Sequence, residues 1–96
     1  MGKPTLKNVT LPHGVWTNLY TAISQIKGAT VTVGTPIGIS LVQRGMLHLN
    51  VGASAPTDDS GYDVIWDFEY SENEQGDPGF WALPPFGDVT VNLKEV

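Results

Sequence analysis

Ninety-six residues with five Lys and Arg against ten Asp and Glu carry a net charge of -5, and there is no cysteine. That length suits one domain, since domains typically run roughly 100 to 200 residues, and without thiols neither a disulfide nor a thiolate metal site can add stability. Five scattered basic residues are no footprint for nucleic acid, which needs a basic patch.

The opening Met1-Gly2-Lys3-Pro4 has no apolar run behind its lysine, so it does not read as a signal peptide. Residues 1–6 are expected to form an extended N-terminal arm on a single β-sandwich domain spanning 1–96. No stretch approaches the roughly 18 apolar residues of a membrane-spanning helix. The expected product is therefore made in a cytoplasm, with no membrane and no nucleic acid among its partners.

Strands are expected at Asn8-Leu11, Val15-Tyr20, Ala29-Val33, Ile37-Gln43, Met46-Val51, Tyr62-Tyr70, Phe80-Leu83 and Asp88-Leu93. Apolar residues alternate with polar ones in several of them. Val31 and Val33 oppose Thr30 and Thr32; Leu47, Leu49 and Val51 oppose Met46, His48 and Asn50; Val89, Val91 and Leu93 oppose Thr90, Asn92 and Lys94. Each pattern predicts one buried and one wet face. Between the runs, Pro12-His13-Gly14, Gly34-Thr35-Pro36 and Arg44-Gly45 supply turn chemistry. Thr21-Gln25 is the sole helix candidate, too short to stand without tertiary support. About seven or eight short antiparallel strands with such turns predict an all-β fold, a small β-sandwich or jelly-roll-like domain.

Charge is sorted along the chain. Residues 1–57 hold Lys3, Lys7, Lys27 and Arg44 and no acid, whereas eight of the ten carboxylates lie between Asp58 and Asp77. Within that window Asp63, Asp67 and Glu69 alternate with Val64, Trp66, Phe68 and Tyr70, which predicts acids facing water and aromatics packed inward. Two longer connections, Gly52-Ser60 and Ser71-Gly79, read as surface loops able to carry recognition.

The acids do not follow the spacing of a calcium loop. Asp67 and Glu69, on an exposed strand face, lack the desolvated cleft that splits a glycosidase pair. His13 and His48 sit far apart with no metal-ligand spacing. The serines make no nucleophile elbow, and Gly34-Thr35-Pro36-Ile37-Gly38 lacks the lysine and helix of a phosphate loop. No catalytic residue, cofactor or metal is therefore expected.

Binding is the remaining chemistry. Trp16, Asn18 and Tyr20 share one face of their strand, which is either core or a stacking and subunit-contact face. The segment Phe80-Trp81-Ala82-Leu83-Pro84-Pro85-Phe86 is too apolar for an ordinary loop, and Pro84-Pro85 marks an edge or an exit from a sheet. The candidate partner-binding residues are Glu72, Glu74 and Asp77 in the acidic loop, with Phe80, Trp81 and Phe86 in the apolar segment.

Two segments also carry a resemblance. Leu11-Pro12-His13-Gly14-Val15-Trp16-Thr17-Asn18-Leu19-Tyr20 resembles the L-P-x-x-x-W-x-D/N-L-Y opening of short virion structural proteins of tailed bacteriophages, and Gly79-Phe80-Trp81-Ala82 resembles their G-x-W-A. The likeness covers both ends, about half the chain, and leaves the acidic window unmatched. It implies a non-enzymatic β-sandwich subunit of a virion, often assembled with symmetry. The expectation is a head decoration (cement) protein bound to the major capsid protein or other virion proteins as a homotrimer. A tail or fibre component, acting as adaptor or glycan-binding receptor-recognition module, is one alternative; a cellular carbohydrate-binding module is another.

Overall fold

The computed structural model describes residues 5–26, 29–57 and 62–96, with residues 5–7 described by their backbone alone. Along them run β1 (Thr5–Leu11), β2 (Thr17–Asn18), α1 (Leu19–Ser24), β3 (Ile37–Leu41), β4 (Met46–Val51), β5 (Asp63–Trp66), β6 (Tyr70–Glu72), β7 (Phe80–Leu83) and β8 (Val89–Glu95). The strands form two four-stranded antiparallel sheets, ordered β1-β8-β3-β6 and β2-β7-β4-β5. The chain is thus a small β-sandwich, as the alternation predicts.

The core lies between the sheets. Val89, Val91 and Leu93 of β8 and Ile37, Ile39 and Leu41 of β3 face Leu47, Leu49, Ile65, Phe80 and Ala82 of the second sheet. Leu19, Tyr20 and Ile23 of α1 close one end of this layer. Each fully buried Val, Leu, Ile or Phe among them contributes about 1.5–3 kcal/mol. Because neighbouring strands are antiparallel, the turns at 12–16, 42–45, 67–69 and 84–88 gather at the opposite end. Cross-ties there join Gly14 N to Pro84 O at 2.9 Å and Gly45 N to the Asp67 carboxylate at 2.6 Å.

Several expected strands end differently. Val15-Tyr20 keeps only Thr17–Asn18 as strand, because Asn18 caps a helix: its Oδ1 accepts the Tyr20 N–H at 3.0 Å. Tyr20 therefore leaves the strand face shared with Trp16 and enters the core, and α1 begins two residues earlier than expected. Ala29-Val33 is no strand; Ala29 N donates to Ile26 O and Thr35 N to Thr32 O, so its hydrogen bonds stay local. Val31 packs on the core while Val33 is exposed. The predicted arm overlaps β1 at Thr5 and Leu6, and residues 1–4 lie outside the described part, as do Asp58 and Asp59.

The largest correction concerns Tyr62-Tyr70. The run breaks at Asp67-Phe68, and its halves join different sheets: β5 pairs with β4, β6 with β3. Ile65 points into the core, whereas Trp66, Phe68 and Tyr70 are exposed, the reverse of the expected inward aromatics. His48, expected on a wet face, is buried and stacks on Tyr62 with ring centroids 3.9 Å apart. Val51, expected inward, is exposed where β4 ends.

Candidate interaction surfaces

The two ends of the sandwich differ in chemistry. At the turn-rich end, Trp66–Glu69 forms a tight turn in which Glu69 N donates to Trp66 O at 2.8 Å and the Glu69 carboxylate accepts the Trp66 N–H. Phe68 sits in this turn with φ +58, a left-handed conformation that costs a bulky residue on the order of 1–3 kcal/mol. Its ring is 62% exposed. The turn holds this strained backbone by side-chain caps, and the result is an aromatic ring in water.

Neighbouring residues extend the surface. Met46 pairs with Trp66, whose side chain is 52% exposed, and Gly45 is bonded to Asp67 beside Phe68. Arg44 and Met46 also border a hollow of about 70 Å³ shared with Phe86, which is 81% exposed. Three carboxylates of this end are turned onto local backbone N–H groups: Asp67 onto Gly45, Glu69 onto Trp66, and Asp88 onto His13 at 2.8 Å. Arg44 is exposed among them.

The opposite end is acidic. Glu72 leaves β6, accepting the Tyr70 hydroxyl at 2.6 Å. Asp77 closes a turn on itself, its Oδ2 accepting Glu74 N at 2.7 Å while its own N–H donates to Glu74 O at 3.2 Å. Asn73, in the middle of this acidic stretch, is buried. Its Oδ1 accepts Ile37 N at 2.8 Å, and its Nδ2 donates to Tyr20 Oη at 2.8 Å. Tyr20 in turn donates to Thr35 O at 2.6 Å. A groove of about 360 Å³ opens between the sheets here, floored by Leu49 and Phe80 and walled by Tyr62, Asp63, Ser71 and Glu72. Among the described residues, no group of three or more His, Asp or Glu side chains is placed to hold a metal ion.

The six residues singled out from sequence do not form one site. Glu72, Glu74 and Asp77 lie at the acidic end, with Asp77 engaged in its own turn. Phe80 is buried in the core and reaches the surface only at the floor of the groove. Trp81 is half-buried and donates its indole N–H to Gly52 O at 2.8 Å. Phe86 alone belongs to the aromatic end. Trp66, Phe68 and Arg44 were not singled out; Asp67, a turn former inside a nine-residue run longer than most strands, is the sequence signal for them.

Tyr70 links the acidic end to the outer face of the first sheet. Its ring end lies over Gly38, where a Cβ would sit 2.3 Å from the hydroxyl, and Lys94 Nζ is 4.8 Å from the ring centroid. Burial of the hydroxyl, then the hydrogen bond to Glu72 and the negative charge of that carboxylate, push Tyr70 up from 10.0 to about 12. Because folding raises this group, the linked stability is intact below about pH 10 and falls as pH rises towards 12. Ultraviolet titration should show a late phenolate from Tyr70, and Glu72→Gln should move it part of the way back. A late phenolate that Glu72→Gln leaves in place would remove Glu72 from the explanation.

Comparison of the chain with protein-family models, with curated proteins and with solved structures finds no match in any of the three.

Proposed function

We propose that the chain is a structural subunit of a bacteriophage virion, most specifically a head decoration protein that binds the assembled shell. It works by surface contact and performs no catalysis. The observation that carries the binding role is the aromatic end, where exposed rings stand on capped turns whose carboxylates are already occupied. Exposed apolar clusters of this kind mark protein contacts.

The phage assignment rests on the two resembling segments, and the fold supports reading them as one unit. Far apart in sequence, they lie side by side: Thr17 pairs with Ala82 and Asn18 with Trp81, and Gly14 N reaches Pro84 O. In this reading the acidic end faces the shell by charge complementarity, with the major capsid protein or another virion protein as partner. Copies of the chain associate with one another, the trimer being one symmetric solution. Binding the assembled shell and not its alternatives stabilises it by mass action, and linked copies multiply a weak contact.

The glycan-binding alternatives gain less support. Of the rings such a stacking surface would use, Trp16, Tyr20 and Trp81, Tyr20 is buried, Trp16 and Trp81 are half-buried, and Trp81 has its N–H engaged with Gly52. The deciding experiment is to locate the protein in purified particles by labelled-antibody electron microscopy. Label on heads, and binding to empty expanded shells that weakens with salt, is the expected result; label confined to tails would replace the decoration role with the tail or fibre reading.

A further inference from the structure

We infer that the aromatic end is where one copy of this chain meets another. This rests on and deepens the oligomeric part of the reading above, and it moves the subunit contact away from Phe80 and Trp81. Across that end Phe86, Arg44, Met46, Trp66 and Phe68 follow one another through the shared hollow, the Met46–Trp66 pairing and the Gly45–Asp67 hydrogen bond.

Three observations select a second copy as the occupant. The surface is complementary to itself: it carries an exposed guanidinium and three exposed rings, so Arg44 of each copy can lie on an aromatic face of the other. A two-fold interface requires such self-complementarity, so this contact joins copies in pairs and departs from the trimer. Asp67, Glu69 and Asp88 stand exposed beside the rings, so Arg44 of a second copy meets carboxylates as well as aromatic faces.

Charge geometry points the same way. Copies that met through their acidic ends would bring Asp63, Glu72 and Glu74 against their own kind, whereas at the aromatic ends Arg44 of each copy offsets part of the charge of Asp67, Glu69 and Asp88. Each molecule measures at least 21 Å across, so contact through the aromatic ends holds the acidic ends well beyond the screening length of about 8 Å at physiological salt.

The area suffices for reversible association. Rings that bury roughly 150–250 Å² each when covered, exposed by 52, 62 and 81% in Trp66, Phe68 and Phe86, offer on the order of 400 Å². With Arg44 and Met46 the ceiling is roughly 500 Å² per copy, the size of a weak, reversible contact below the roughly 1,200 Å² total of stable interfaces. The composition, Trp, Phe, Met and Arg, is that of interface cores. The strain at Phe68 is then the means by which its ring is presented.

Sedimentation equilibrium of the full chain at micromolar concentrations tests this. The expected result is a concentration-dependent mass above 10.3 kDa, with association weakened at least about tenfold by Phe86→Ser combined with Phe68→Gly. Glycine accepts the positive φ at 68 and Phe86 is exposed, so both changes spare the fold, which circular dichroism verifies. Val33→Ser, at the other end and also exposed, should leave association unchanged. As the chain has no cysteine, Phe86→Cys supplies a single thiol, and oxidation should link copies through it while Val33→Cys stays unlinked. A wild-type monomer throughout, or association indifferent to the Phe86 and Phe68 changes, overturns the inference. Association with no protein found in particles supports this contact and overturns the virion role; a monomer that still binds shells does the opposite.

Discussion

Asn73→Ala should lower the melting temperature by roughly 10–25 °C, measured by circular dichroism at matched protein concentration. Two buried groups each lose a partner at once, although Tyr20 Oη keeps its bond to Thr35 O. Ile37 N, in a residue with no exposed surface, loses the Oδ1 that accepts it, and Tyr20 Oη loses the Nδ2 donor. An unsatisfied buried polar group costs about 1–3 kcal/mol, which puts the loss near 3 kcal/mol in total. The backbone bond from Asn73 N to Ile37 O remains, so the loss belongs to the side chain. Tyr20→Phe should cost less, since it leaves the buried Asn73 Nδ2 without an acceptor but keeps the Asn73–Ile37 bond, and the Thr35 carbonyl is half-buried and within reach of water. In the double variant the two losses should fall short of their sum, because both residues belong to one network. A drop below about 4 °C for Asn73→Ala would show that water replaces the amide, and the network would lose its structural role.

This network also explains how a strongly acidic loop is held in place. Asn73 ties the exit of β6 to the start of β3, and through Tyr20 to α1 and Thr35. Gly76 N adds a bond to Gly34 O at 2.8 Å, and Asp77 caps the turn between. The Asn73 amide, backbone bonds and the Asp77 cap shape the loop, leaving the Glu72 and Glu74 carboxylates on the surface. Charge reversal there should therefore affect binding far more than folding.

Those strands whose apolar phase is set by burial were legible from the sequence. Val89, Val91 and Leu93 alternate in the chain and in the core, as do Ile37, Ile39 and Leu41. The Asp63–Tyr70 run misled for a physical reason. A two-residue turn preserves a period of two, so Trp66, Phe68 and Tyr70 remain in step across a break that sends β5 and β6 to different sheets. What breaks the strand is the pair of carboxylates capping Gly45 N and Trp66 N, and composition does not reveal which N–H a carboxylate will take. Asn73 was invisible for a related reason: in an acid-rich stretch it reads as solvated, while its side-chain partners lie 36 and 53 residues away. Asn18 is a capping residue directly before the apolar spacing Leu19, Ala22, Ile23, but it also alternates with Trp16 and Tyr20, and that alternation reads as strand. Of the aromatic end, Phe86 was legible because it follows a double proline that must leave the sheet.

Gly79→Ala should destabilise the fold by about 2–4 kcal/mol, on the scale of overpacking combined with a lost hydrogen bond. A Cβ on Gly79 would lie 2.3 Å from the Gly52 carbonyl oxygen and 3.0 Å from Trp81 Nε1. The neighbour is backbone and is itself fixed: Gly52 N donates to Gly79 O at 3.1 Å, and Trp81 donates to the threatened carbonyl. The two chains meet where β4 ends and β7 begins, so a methyl group there must pry apart the central pair of the second sheet. Gly38→Ala provides the contrast. Its Cβ would meet the Tyr70 hydroxyl at the same 2.3 Å, but that is the tip of a half-exposed side chain that can swing away. Gly38→Ala should therefore leave the melting temperature within a few degrees while releasing Tyr70 from Glu72, so that its ionisation falls back from about 12 towards 10.0. Equal losses of stability in the two variants would mean that crowding of a glycine, and not the rigidity of what crowds it, sets the cost, and the Gly52–Gly79 contact would then be no special hinge of the fold.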